Sequence, residues 1–121
     1  MEGNKQIIQN LDTYFRTGEW EKIAALFHSG IEWKQMEGLP NGGTYVGPKE
    51  IFKNVFGQFA KYWKGWDTVP EEPLWVDNRI IVLGYYKGES IKTSNYMEAP
   101  LVHIYTINTG LIPHFRQYTD T

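Results

Sequence analysis

Cysteine is absent from the 121-residue chain, and this excludes disulfide bridges, thiolate zinc sites and cysteine nucleophiles. The three histidines, His28, His103 and His114, are scattered without the spacing of metal ligands. A glycine-rich phosphate loop is also missing from the sequence. We therefore expect no metal site and a protein that works without a cofactor.

Basic clusters and long apolar runs are missing as well. Twelve Lys and Arg stand against fourteen Asp and Glu, for a formal net charge of -2. A protein that binds nucleic acid through phosphates needs a basic face, so we expect no nucleic-acid partner. No apolar run approaches the ~18 residues of a membrane-spanning helix, so we expect no membrane partner and a soluble, cytoplasmic protein.

Aromatic residues, in contrast, are abundant. They make up 16% of the chain, with five Trp and eight Tyr. Such rings supply large apolar area with few rotatable bonds, and Tyr and Trp keep a polar tip. Two interpretations remain open at this point: a well-filled core, or a pocket lined with rings for a flat, apolar small molecule.

Hydrophobic periodicity predicts mostly helices in the first half of the chain and strands in the second half. Apolar residues recur at helical spacing over 7–15 and 20–27, which predicts a helical hairpin. Residues 28–36 alternate, with Ile31, Trp33 and Gln35 on one face, which predicts a strand. Residues 38–47 are rich in glycine and predict a loop, and a third helix is predicted from Pro48 through residue 63.

Four extended segments follow, at residues 66–76, 79–87, 96–107 and 111–118. The first is interrupted by Pro70 and Pro73, which indicates an edge, a bend or a bulge. Strands linked in sequence by hairpins predict an antiparallel sheet, and the helices must cover one of its faces. We therefore predict an α+β fold over residues 1–121, in which a curved sheet wraps around three N-terminal helices and leaves one central cavity.

Four segments resemble the nuclear-transport-factor-2-like superfamily, and in particular its SnoaL-like polyketide cyclases, which are related to ketosteroid isomerase. They are Tyr14-Phe15 running into Gly18-Glu19, Ile31-Glu32-Trp33, the run from Tyr45 to Ile51, and the stretch from Val102-His103 through Gly110 to Asp120. The resemblance spans essentially the whole chain and implies a cone-shaped α+β barrel. One such scaffold hosts isomerases, cyclases, hydrolases and non-catalytic binders.

The resemblance also implies a pair of catalytic residues. The cyclases use a histidine and an aspartate at the positions of His103 and Asp120, and a glutamine where this chain has Leu101. Against ketosteroid isomerase the pattern fails, because its general-base aspartate falls on Trp33 and its oxyanion-hole acid falls on His103. Isomerisation by those same residues is therefore not expected.

Ring closure by such cyclases is an intramolecular aldol reaction, which needs a base and a donor to the enolate oxygen. Asp120 would be the base and His103 would polarise a carbonyl oxygen. The expected substrate-binding residues are Tyr14, Trp33, Phe59, Trp63, Tyr85, Leu101 and Phe115. Two structural alternatives remain open: His103 is a core residue whose hydrogen bonds are made within the protein, and Asp120 is a carboxylate exposed to solvent.

The geometry of the last hairpin bears on this pair. Residues 108–110 suit a three-residue loop, which places His103 opposite Phe115 and turns Asp120 to the other face. A two-residue loop, or one bulge, would bring Asp120 to the face of His103. Even then, about four residues, roughly 13 Å of strand, would separate the two side chains.

Three functions therefore compete. The first is acid/base chemistry on an apolar carbonyl substrate by a cyclase or isomerase, and the second is a non-catalytic module that binds a small ligand or a protein. Epoxide hydrolysis ranks last, because it needs an Asp-Arg-Asp set and the predicted inward faces carry few acids. We also expect a homodimer through the outer face of the sheet, formed by Val102, Ile104, Arg116 and Tyr118.

Overall fold

The computed structural model describes residues 2–38 and 42–119. Its helices, in chain order, are α1 (Glu2–Thr17), α2 (Trp20–Leu26), α3 (Pro48–Asn54) and the short α4 (Phe59–Tyr62). Its strands are β1 (Phe27–Gln35), β2 (Gly43–Val46), β3 (Trp63–Val76), β4 (Arg79–Ser90), β5 (Tyr96–Asn108) and β6 (Leu111–Thr119). The predicted α+β fold is confirmed.

The first two helices form where the periodicity predicts them. α1 buries Ile8 and Leu11 in the common core, and α2 buries Ile23 there. Gly18 lies between them with a φ of 69°, in the left-handed region that glycine adopts without a steric penalty. The chain therefore reverses within a few residues, which gives the predicted helical hairpin.

The third helix is shorter than predicted. α3 ends at Asn54, and a 3-10 turn over Phe56–Gln58 and the short α4 follow it. The backbone N–H of Gln58 donates to the carbonyl of Val55, three residues back, which tightens the chain out of the α-helical path. Gly57 favours this break because glycine is a poor helix former. β3 consequently begins at Trp63, before the predicted start at residue 66.

The predicted loop over 38–47 also contains a strand. β2 pairs antiparallel with β1, with Trp33 opposite Tyr45. The Gly-rich composition concealed this four-residue strand, because glycine and threonine carry little hydrophobic alternation. Residues 39–41 of the loop lie outside the described residues.

The six strands of the described residues form one curved, unclosed sheet in the order β2-β1-β6-β5-β4-β3. Every neighbouring pair is antiparallel except β1 and β6, which are parallel. The expectation of a wholly antiparallel sheet is therefore wrong at this pair. A hairpin makes two consecutive strands antiparallel. It does not determine the relative direction of β1 and β6, because these strands lie far apart in sequence.

The β5–β6 hairpin differs from the predicted loop in two ways. Asn108 lies opposite Leu111, which leaves a two-residue loop in which both Thr109 and Gly110 have positive φ. A register shift between Thr106 and Asn108 then compensates for the shorter loop. As a result His103 lies opposite Gln117 instead of Phe115. The difference is two residues, so Phe115 and Gln117 still lie on the same face of the sheet as His103.

β3 is an edge strand with a bulge, which are two of the three alternatives that its prolines indicate. The register shifts between Pro70 and Glu72, so one extra residue lies on the β3 side. Gly84 of β4 accommodates this bulge, because a Cβ at that position would collide with the backbone carbonyl of Val69. A bulge of this kind bends the strand and increases its local twist. No helix among the described residues is long and apolar enough to cross a membrane.

Candidate functional site

A cavity of about 590 Å³ lies between the helices and the concave face of the sheet. Seven Phe and Trp rings line it: Phe15, Trp20, Trp33, Phe56, Trp63, Trp66 and Phe115. Its principal polar lining residues are Asp12, Gln35, Tyr86, His103, Tyr105 and Gln117. The cavity is therefore mostly apolar with a few converging polar groups, as small-molecule sites are.

The aromatic wall is built by strand alternation and by the turn after α3. Trp33 of β1 stacks on Phe115 of β6 with ring centroids 3.7 Å apart, because the two residues are register partners on parallel strands. Phe56 meets Trp33 edge to face at 5.2 Å. On the other side Trp66 packs on Tyr86 at 4.8 Å. Such flat surfaces suit a flat ligand.

A buried chain of hydrogen bonds crosses the floor of the cavity. The backbone N–H of Met36 donates to Oε1 of Gln117 at 3.1 Å, which fixes the orientation of that amide. Nε2 of Gln117 donates to the hydroxyl of Tyr86 at 2.6 Å. The hydroxyl of Tyr86 in turn is hydrogen-bonded to Nε2 of His103. Residues of β4, of β6 and of the segment after β1 thus hold His103 of β5 in place.

His103 is neutral in this setting. Desolvation by burial lowers the pKa of its imidazole to about 3, because a buried cation loses its hydration. Burial likewise raises the pKa of the Tyr86 phenol above its ordinary range. Which of the two groups donates depends on the tautomer of the imidazole. In the tautomer that carries its proton on Nδ1, the phenol donates to Nε2, and the Nδ1–H group has no hydrogen-bond partner among the described residues.

Gln35 forms a second polar feature of the floor. Its side chain is buried, with 2% of the residue exposed, and Oε1 accepts from the indole N–H of Trp33 at 2.9 Å. Nε2 of the same amide has no partner among the described residues. A buried donor without a partner costs free energy, and this amide group lacks the acceptor that folded proteins ordinarily supply.

Asp12 brings a carboxylate to the cavity from α1. Burial raises the pKa of this carboxyl above its usual value, and the nearby Arg16 guanidinium opposes part of that rise. The charge of Asp12 also contributes to the raised pKa of Tyr105, which places the carboxylate near β5. Asp12 therefore becomes a base of greater strength than an ordinary aspartate.

The predicted site residues divide into three groups. His103, Trp33, Trp63, Leu101 and Phe115 line the cavity. Tyr14 and Tyr85 are not part of this lining. Asp120 and the side chain of Phe59 lie outside the described residues.

Tyr14 and Tyr85 lie elsewhere for simple geometric reasons. The Tyr14 ring lies beneath the ammonium group of Lys22 on the helical hairpin, 5.5 Å from ring centroid to Nζ. On β4, Val82 lies opposite His103, so alternation turns Tyr86 inward and Tyr85 to the other face. The expectation of cavity contacts for these two residues is therefore corrected.

Sequence reasoning missed Asp12, Tyr86 and the two glutamines, although two signals were present. Gln35 continues the alternation of Ile31 and Trp33 and is thus a polar residue on an inward face. Asp12 lies directly beside the apolar stripe that carries Leu11. A carboxylate or amide at the edge of a core-facing pattern is the signal that would have found them.

The lining residues also show whether the cavity could hold a metal ion or hydrolyse an epoxide. The described residues contain no group of His, Asp and Glu that could hold a metal ion. Asp12, Arg16 and Asp67 do line the cavity, so the expectation of few inward acids is wrong. Arg16 and Asp67 are exposed, however, and water would screen the Asp-Arg-Asp set that epoxide opening requires.

Comparison with solved structures identifies the fold. An NTF2-like protein from Burkholderia thailandensis is 28% identical, with a TM-score of 0.91 over 97% of this chain and 90% of that one. TerC, co-crystallised with polyporic acid, is 24% identical, with a TM-score of 0.87 over 98% and 92%. A protein from Shewanella putrefaciens assigned as a SnoaL-like polyketide cyclase is 11% identical, with a TM-score of 0.79 over 99% and 91%.

The predicted nuclear-transport-factor-2-like fold is thus confirmed. No protein-family model matches the sequence, and no similar protein was found among the curated ones.

Proposed function

We propose that this NTF2-like chain catalyses proton transfer on a flat carbonyl compound bound in the cavity, as a cofactor-free cyclase or isomerase. One observation carries the proposal: a carboxylate with a raised pKa and a neutral, hydrogen-bonded histidine line the same aromatic cavity. Enolate chemistry needs these two elements, a base for the C–H proton and a donor for the oxygen. The structures of SnoaL-like fold and of TerC with polyporic acid agree with a ring-shaped ligand.

Asp12 is the proposed base. Its carboxylate accepts a proton from the carbon next to the carbonyl group, and the raised pKa reduces the energetic cost of that transfer. The aspartate implied by the family resemblance, Asp120, remains a second candidate for the same role.

His103 is the proposed oxygen donor. With Nε2 occupied by Tyr86, the Nδ1–H group can donate to the carbonyl oxygen and to the enolate that replaces it. A neutral imidazole held in place by Tyr86 and Gln117 needs no reorganisation when charge develops on that oxygen. Its lowered pKa excludes the imidazolium form as a proton donor at neutral pH.

Proton exchange tests this proposal without knowledge of the natural substrate. 2-Tetralone is a flat ketone with acidic C–H groups, and NMR in D₂O follows their replacement by deuterium. We expect the protein to accelerate exchange, and Asp12→Asn to lose about 100-fold or more of that acceleration. Asp77→Asn, in the turn between β3 and β4, is the matched control, and Asp120→Asn tests the alternative base.

A non-catalytic binding module is the second candidate, and the hydrogen bonding of His103 favours it. The Nε2 atom of this residue and the Gln117 amide are paired within the protein, as in a site shaped for recognition. Saturable binding of the ketone without any acceleration of exchange would support this function and contradict the enzymatic one.

A further inference from the structure

Gln35 carries an unused hydrogen-bond donor at the floor of the cavity. The residue is the last of β1, its side chain is almost completely buried, and it belongs to the lining of the cavity. Its Nε2 has no partner among the described residues, whereas the amide of Gln117 beside it has both ends satisfied. A polar group of this kind is rare in folded proteins and calls for an explanation.

The identity of the unpaired atom follows from the neighbouring indole. The Nε1–H of Trp33 is only a donor, so the amide atom 2.9 Å from it must be the carbonyl oxygen of Gln35. The other end of the amide is therefore the NH₂ group. This end can only donate, and its complement is an oxygen acceptor.

We propose that Gln35 binds a second acceptor oxygen of the substrate, distinct from the carbonyl group that meets His103. Resting on the proposed function, this inference narrows the substrate class to flat ring compounds with two carbonyl or enolate oxygens, such as quinones and cyclic diketones. Trp33 and Phe115 supply the stacking face beside that donor. Trp33 therefore has two roles, since it both contacts the ring and orients the amide.

A matched pair of ligands isolates the contribution of Gln35. 2,2-Dimethyl-1,3-indandione and 2,2-dimethyl-1-indanone share one flat bicyclic skeleton and differ in a single carbonyl group, which is CH₂ in the second. Neither has a hydrogen on the carbon next to a carbonyl group, so proton transfer cannot complicate the measurement. Calorimetric titration gives the ratio of their dissociation constants for each variant.

We expect the native protein to bind the dione roughly tenfold more tightly than the monoketone, as one hydrogen bond to a buried donor provides. Gln35→Met keeps the length of the side chain and removes the donor, so the ratio should fall to about one. Changes in packing affect both ligands and cancel in the ratio. The control is Gln58→Met. The amide of Gln58 donates to the carbonyl of Lys53 and is not part of the cavity lining, so this variant should keep the native ratio.

Two results would overturn the inference: a native protein that does not prefer the dione, or a preference that survives in Gln35→Met. Its failure is distinguishable from failure of the proposed function. A lost preference in Gln35→Met together with no proton exchange by the native protein would keep the binding role and reject the acid/base chemistry. An unchanged preference in Gln35→Met together with exchange that depends on Asp12 would reject the binding role of Gln35 and keep the acid/base chemistry.

Discussion

Tyr86 on β4 and His103 on β5 are joined by a buried hydrogen bond on the concave face of the sheet, with ring centroids 5.5 Å apart. They are not cross-strand partners, because Val82 lies opposite His103 and Ala99 lies opposite Tyr86. The phenol therefore leans along the strands to reach the imidazole. The fold thus creates this contact, which neither strand alone specifies.

The hydroxyl of Tyr86 should contribute measurably to stability. Tyr86→Phe leaves Nε2 of Gln117 and Nε2 of His103 buried without their partner. We expect the free energy of unfolding to fall by about 1–3 kcal/mol, measured by urea denaturation. Tyr85→Phe, on the opposite face of β4, is the matched control and should change it by less than about 0.5 kcal/mol. Equal effects of the two substitutions would contradict the hydrogen-bond chain.

The lowered pKa of His103 should make stability depend on pH. Between pH 6.5 and about 3 the unfolded chain binds a proton on this imidazole that the folded chain does not. The free energy of unfolding should therefore decrease as the pH falls through this window, by up to about 1.4 kcal/mol per pH unit. His103→Gln should reduce that slope, whereas the exposed His114→Gln should preserve it. A slope that survives in His103→Gln would show that another group is responsible.

Gly84 should tolerate no side chain. A Cβ there meets the backbone of Val69 and Pro70 at the bulge of β3, and backbone cannot move aside as a flexible side chain can. We expect Gly84→Ala to destabilise the protein by more than about 1 kcal/mol in thermal or urea unfolding. Gly3→Ala, in the open space around α1, should be neutral or slightly stabilising. A neutral Gly84→Ala would mean that the bulge is not as tightly packed as described.

The outer face of the sheet should form a homodimer. Val102 and Ile104 are only half-buried, and Tyr118 is 44% exposed. They lie together because Val102 pairs with Tyr118 on the adjacent strand. We expect sedimentation to show a dimer at micromolar concentration and Ile104→Asp to shift it to monomer. A native protein that sediments only as a monomer would contradict this prediction.

The sequence specified the larger part of the fold through local rules. Periodicity located α1 and α2, and the prolines of β3 indicated an edge, a bend or a bulge, of which the structure has an edge and a bulge. The parallel direction of β1 beside β6 was not predictable in this way, because no hairpin joins those strands. The end of α3 at Asn54 also escaped prediction, since the apolar spacing continues across it.

The candidate site was less predictable than the fold. His103 and Trp33 were identified from the family resemblance and the aromatic pattern, and both line the cavity. Tyr86 was not, because the choice between Tyr85 and Tyr86 depends on strand register, where a shift of one residue exchanges the two faces. Asp12 was missed because a carboxylate on a surface helix ordinarily faces water, whereas this one is half-buried at the edge of the apolar stripe.

The pH dependence of proton exchange on 2-tetralone tests the account most directly. Arg16 on α1 and Tyr105 on β5 are the groups that interact electrically with Asp12, and His103 stays neutral down to about pH 3. We predict a rate that falls as the pH decreases through the pKa of Asp12, with a midpoint above 3.8 that is absent in Asp12→Asn. A native protein that does not accelerate exchange, or a profile unchanged in Asp12→Asn, would contradict the assignment of Asp12 as the base.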